Sequence, residues 1–131
     1  MAACPTPKWH PIGSDGERYP EWLRDLDTAS GAYAIRDKTS HKVLYVGSSA
    51  AKLYGTITRH FQQWGRKKQF WREMRGKGHD PGMTYQRGRC EVSVCHTRRG
   101  DHLEAEAALI LLLRPRDNLV KHPDGDDEVP F

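Results

Sequence analysis

Residues 101 to 118, DHLEAEAALILLLRPRDN, constrain the fold more than any other stretch of the chain. The run reads as a helix that turns apolar in its second half. Arg114-Pro115 ends it, because the residue before a proline is pushed out of the helical region. A helix turns by about 100° per residue. Counted from Glu106, the side chains of Leu103, Leu109, Ile110 and Leu113 fall within roughly 60° of it, whereas Glu104 falls roughly 160° away. Asp101 is placed as an N-cap, and Glu104 follows at the spacing of a capping box. That accounts for Glu104 but not for Glu106. An ionised carboxylate on an apolar face must be paired, protonated or bound to a metal ion. Taken alone, a boundary glutamate that reaches water or an arginine is the plain account.

The rest of the chain bears on that choice. Its 131 residues suffice for one domain with a modest core, and a charged fraction of 29% makes it polar. The formal charge is +4, but residues 124 to 131 (DGDDEVPF) carry four acids and no base, so the remainder stands at +8. Such an excess favours a polyanionic partner. No apolar run is long enough to span a bilayer, and the N-terminus has no signal-peptide apolar region, so no membrane partner is expected. The cysteines, Cys4, Cys90 and Cys95, are odd in number and form no CxxC, which fits a reduced, cytoplasmic setting. Cys90, Cys95, His96 and His102 match no common zinc spacing.

Residues 1–30 read as an irregular arm with one short helix at PEWLRDLD, its Trp9 and Trp22 packing onto the body. In YAIRDKTSHKVLYVG two short apolar runs flank a polar turn, the pattern of a β-hairpin. Pairing Ile35 with Val43 would set Tyr33 opposite Tyr45, with both rings on one face. Gly47 follows where backbone must approach something closely. Leu53, Ile57, Phe61 and Trp64 are spaced as one helix face, and a second short helix is placed in GRKKQFWREMRGKG. The alternating CEVSVCHT is a third strand. The order β-β-α-α-β-α predicts an α+β fold over residues 31–120, a small three-stranded antiparallel sheet flanked by helices. Residues 121–131 form an acidic tail, read as disordered or folded back onto the basic face.

Gly31-Ala32-Tyr33, Tyr45-Val46-Gly47-Ser48, Arg59-His60, Glu106 and the closing Arg114-Pro115-Arg116-Asp117-Asn118 together resemble the GIY-YIG nuclease family, over about residues 31 to 118. Glu106 stands twelve residues before Asn118, the family's spacing between catalytic glutamate and final asparagine. The resemblance implies a metal-dependent endonuclease acting on nucleic acid, DNA rather than RNA. It makes Glu106 the sole protein ligand of one Mg²⁺ or Mn²⁺, an ion that keeps several waters. Tyr33 or Tyr45 would help deprotonate a water, Arg59 would neutralise charge on the phosphate, and His60 would contact phosphate or relay a proton. Asn118 and Gly47 would be structural. Ser48, Arg66, Lys67, Lys68 and Arg72 are the candidate nucleic-acid contacts, through phosphates. Two departures stand out. Ala32 replaces the family's usual Ile. Many members also place the arginine four residues before a His or Tyr, whereas four before His60 is Thr56. The guanidinium therefore comes from Arg59 or from elsewhere, such as Arg66, and a non-catalytic nucleic-acid-binding module is the alternative function.

Overall fold

The computed structural model describes residues 6–62 and 85–119. Among these the elements run β1 (His10–Pro11), α1 (Glu21–Arg24), β2 (Gly31–Asp37), β3 (Val43–Ser49), α2 (Leu53–Thr58), β4 (Cys90–His96) and α3 (His102–Leu113). The α+β class is as expected, but the sheet has four antiparallel strands rather than three, in the order β1-β4-β2-β3. The extra strand comes from the arm. His10 and Pro11 pair with Val92 and Glu91, and a strand of two residues is too short to show alternation in a sequence. The arm is built into the body, with Ile12, Leu23 and Leu26 in the main core. The proposed second helix, with Arg66, Lys67, Lys68 and Arg72, lies outside the described residues, as do Cys4, Trp64 and the acidic tail.

Period-two alternation along the strands splits the apolar residues between two faces. One face carries Tyr33, Ile35, Tyr45 and Val92 and is covered by Leu53, Ile57 and Phe61 of α2 and the short 3-10 turn Arg59–Phe61 that continues it. The other carries the smaller Ala32, Ala34, Val46 and Cys95, and α3 lies on it through Ala105 and Leu109. Small side chains let the long helix sit close to the strands.

The β2–β3 hairpin differs from expectation in register. Tyr33 pairs with Gly47 and Ile35 with Tyr45, a slip of two residues from the Ile35–Val43 pairing. An even slip leaves every side chain on its expected face. One residue of the slip is already present next to the turn, where Arg36 pairs with Val43 rather than Lys42, and the other comes from an irregularity between Ile35 and Arg36 that leaves Leu44 as the extra residue. That bulge turns Leu44 into the same core as Tyr45.

The exposed edge of β3 is closed by the chain's own C-terminal turn. The Asn118 amide accepts from the Val46 N–H at 2.7 Å and donates to the Val46 carbonyl at 2.9 Å, while the Arg116 N–H donates to the Val43 carbonyl at 3.0 Å. One side chain thus satisfies both backbone groups of a buried residue, the structural role the sequence suggested for Asn118. Asn118→Ala is expected to cost about 1–3 kcal/mol, read as a lower denaturation midpoint, because Val46 would be left with unsatisfied groups. An unchanged midpoint would mean that water replaces the amide.

Candidate active site

The sequence candidates converge on the end of β3, beside Gly47. Tyr33 is 1% and Tyr45 8% exposed, with ring centroids 6.3 Å apart. A side chain at position 47 would collide with them, as an added Cβ would lie 2.5 Å from Tyr33 Oη and 2.9 Å from Tyr45 Cε2. The close approach expected at Gly47 is therefore to the two tyrosines themselves.

His60 comes from the 3-10 turn after α2. The apolar spacing of Leu53, Ile57 and Phe61 fixes the buried face of that segment and leaves His60 at its rim. Its Nε2 is 2.8 Å from Tyr33 Oη. Its ring packs 4.7 Å from that of Tyr45 and 6.1 Å from that of Tyr85, the latter at 28° between planes. Burial is the main cause that holds the Tyr33 phenol well above its ordinary pKa, reinforced by Tyr45 and opposed by Arg59. Burial and the Glu106 carboxylate push Tyr45 up to about 12, against the opposing charge of Arg59. Both phenols are thus neutral donors near pH 7. The Arg59 charge opposes, and the Glu106 charge adds to, the upward shift of both tyrosines.

Glu106 does not share a sheet face with the tyrosines. It belongs to α3, on the opposite face, and is bonded there to Ser48, the residue after Gly47. The Ser48 hydroxyl donates to Glu106 Oε1 at 2.5 Å. Ser48, a candidate phosphate contact, thus holds the carboxylate. The face argument for Glu106 also shifts. The packed stripe of α3 is centred on Ala105 and Leu109, with Ile110 and Leu113 half-buried, and Glu106 borders it. Leu103 lies roughly 160° from Ala105 and 120° from Leu109, and it is 63% exposed. Asp101 does not cap the helix by its side chain, because its backbone is already in the right-handed helical region as the end of the turn from Arg98.

Ser48 supplies the one hydrogen bond Glu106 makes among the described residues, and the carboxylate is half-exposed, so its second oxygen is available to a cation. No group of three or more His, Cys, Asp or Glu able to hold a metal occurs among the described residues. A single carboxylate at a solvent-facing rim suits Mg²⁺, which takes few protein ligands and keeps its waters. It does not suit zinc, which takes three or four.

Tyr85 escaped the sequence reading, as did its pairing with Asp117 of the closing motif. Tyr85 donates its hydroxyl to Asp117, and its backbone N–H donates to the His60 carbonyl at 2.7 Å. Arg116 grips the same Asp117 with Nε to Oδ1 at 2.8 Å and Nη2 to Oδ2 at 3.0 Å. Positions 60, 85 and 117 have no periodic relation, so only the fold joins them.

No family model matches the chain, and neither a curated protein nor a solved structure matches it.

Proposed function

We propose that the protein is a metal-dependent endonuclease of the GIY-YIG kind that hydrolyses phosphodiester bonds, in DNA rather than RNA. The observation that carries this is the hydrogen bond that holds Glu106 to Ser48, next in the chain to the bare Gly47 against which Tyr33 and Tyr45 lie, with His60 on Tyr33 at 2.8 Å and Arg59 its neighbour in the chain. A lone carboxylate, two neutral phenols, an imidazole and a guanidinium at one rim make up the donor set that phosphodiester hydrolysis requires.

In this reading Glu106 holds one Mg²⁺ or Mn²⁺, which when bound polarises the phosphate and stabilises the leaving 3′ oxygen. Arg59 neutralises charge developing on the non-bridging oxygens. The base is not a tyrosinate, since burial keeps both phenols protonated. Tyr33 instead passes its proton to His60 Nε2 across the 2.8 Å contact while taking one from the attacking water. The water oxygen bonds to phosphorus, the P–O3′ bond breaks, the 3′ oxygen leaves and takes a proton from solvent, and the proton from the attacking water resides on His60. Tyr45 packs against the imidazole and limits its rotation.

The test is incubation of a plasmid and of defined single- and double-stranded oligonucleotides with Mg²⁺ or Mn²⁺, against an EDTA control. Metal-dependent cleavage is expected. Binding without cleavage in either metal would overturn the enzyme reading in favour of the non-catalytic module, which the lack of an arginine four residues before His60 keeps in play. In both cases affinity should fall steeply as salt rises, since phosphate contacts release counterions. Affinity insensitive to salt would dismiss nucleic acid as the partner.

A further inference from the structure

The cluster around His60 contains a device that the proposed chemistry does not use directly. His60 lies between two aromatic rings, with Tyr45 at 4.7 Å and Tyr85 at 6.1 Å. Tyr45 is held by its strand. Tyr85 precedes β4 and belongs to no strand, yet it is fastened at both ends. Its backbone N–H bonds the His60 carbonyl at 2.7 Å, and its hydroxyl bonds Asp117.

Asp117 is itself immobilised. Arg116 grips both its oxygens, at 2.8 and 3.0 Å. On its other side Asn118 is bonded to Val46 at 2.7 and 2.9 Å. Val46 immediately precedes Gly47, the strand position against which Tyr33 lies. The turn that closes the sheet edge therefore also sets the position of the third tyrosine, and through it one wall of the histidine.

From this geometry we infer that Tyr85 is a positioning residue, which with Asp117 holds the His60 imidazole in the orientation that meets Tyr33. The inference rests on the nuclease reading for its consequence in rate, but not for its structural content. Tyr85 is unsuited to proton transfer, because burial above all, and the bond to Asp117, push its phenol far up. Burial pushes the Asp117 carboxyl up in turn, but the bonds from Arg116 and Tyr85 outweigh it and leave the carboxyl below its ordinary range. The pair is therefore a neutral donor on a fixed anion near pH 7. Fixing a reacting group in this way matters because a misplacement of about 1 Å can cost on the order of a hundredfold in rate.

The test is Tyr85→Phe, which keeps the ring and removes only the hydroxyl. Its first readout is the ¹H–¹⁵N spectrum of the histidine rings, with His60 assigned from the signals lost in His60→Gln. The native protein should give one sharp set for His60, and Tyr85→Phe should broaden or split it at a temperature where the protein remains folded. The second readout is metal-dependent cleavage. There kcat should fall roughly ten- to a hundredfold with KM unchanged. Asp117→Ala should reproduce both effects, and the double variant should be no worse than either single one, as expected of groups acting as a unit. If Tyr85→Phe does not fold, Asp117→Ala decides the question in the same spectrum. His60 signals identical to the native ones in a folded variant would overturn the inference, as would a change in KM alone. A purely structural tyrosine would lower the melting temperature without altering His60 below it. Should the native protein cut nothing, the nuclease reading fails and the spectrum still decides the role of Tyr85.

Discussion

Replacing Glu106 with alanine is expected to remove metal-dependent cleavage, by roughly 10²- to 10⁴-fold, with little loss of stability. The large effect on rate follows from the donor set. In the proposed site Glu106 is the sole protein ligand, and no group of three or more His, Cys, Asp or Glu that could hold the ion in its place occurs among the described residues. The small effect on stability follows from its placing. Glu106 is half-exposed at the border of the packed stripe, and it accepts one hydrogen bond, from Ser48. Losing that acceptor leaves a serine hydroxyl that water can reach. Ser48→Ala should be milder, since the carboxylate remains but can swing away from the rim. Nicking assays over a range of Mg²⁺ concentrations would show it as a raised metal requirement. If Glu106→Ala still cuts with Mg²⁺, the ion is held elsewhere and the proposed site is wrong.

Gly31→Ala should do the reverse, costing stability wherever it is measured, by about 3 kcal/mol or more. An added Cβ at Gly31 would lie 2.3 Å from the carbonyl oxygen of Cys95, a backbone atom on the neighbouring central strand. Relief would require parting β2 from β4, which pair along their whole length from Gly31–His96 to Asp37–Cys90. Against a typical domain stability of about 5–15 kcal/mol, that is a large share. Gly47→Ala presses instead on Tyr33 Oη at 2.5 Å and Tyr33 Cζ at 2.7 Å. Part of its cost should therefore appear as lost cleavage, because the displaced hydroxyl is the one that faces His60. Urea denaturation of both variants separates the cases. Equal midpoints for Gly31→Ala and the native protein would mean that the strands are less tightly paired than these distances imply.

Residues whose role is local were legible in the sequence. The alternation in YAI and CEVSVC gave β2 and β4, and the spacing of Leu53, Ile57 and Phe61 gave the helical segment after β3. Tyr33 and Tyr45 could be put on one face because parity survives an even slip in register. What failed depends on contacts distant in sequence. The bulge at Leu44 moves the pairing, yet nothing in KVLYV distinguishes a bulged strand from a regular one. Periodicity placed Glu106 on the apolar side of its helix but could not say which face of the sheet that helix covers. The helix lies on the face opposite the tyrosines, and Glu106 bonds Ser48 there. Nothing in the sequence relates Tyr85 to Asp117 in the closing Arg114–Asn118 segment, and only folding makes them a pair.

The turn at Asn118 has a further consequence, for the protein's dealings with other copies of itself. β3 is the last strand of the sheet, and an open last strand offers its peptide groups to any extended segment that drifts by. Here that berth is taken at Val43 and Val46 by Arg116 and Asn118 of the same chain. In the proposed reading, the rim beside Gly47 can thus face a long, charged ligand while this edge does not invite strand-to-strand stacking between neighbouring molecules.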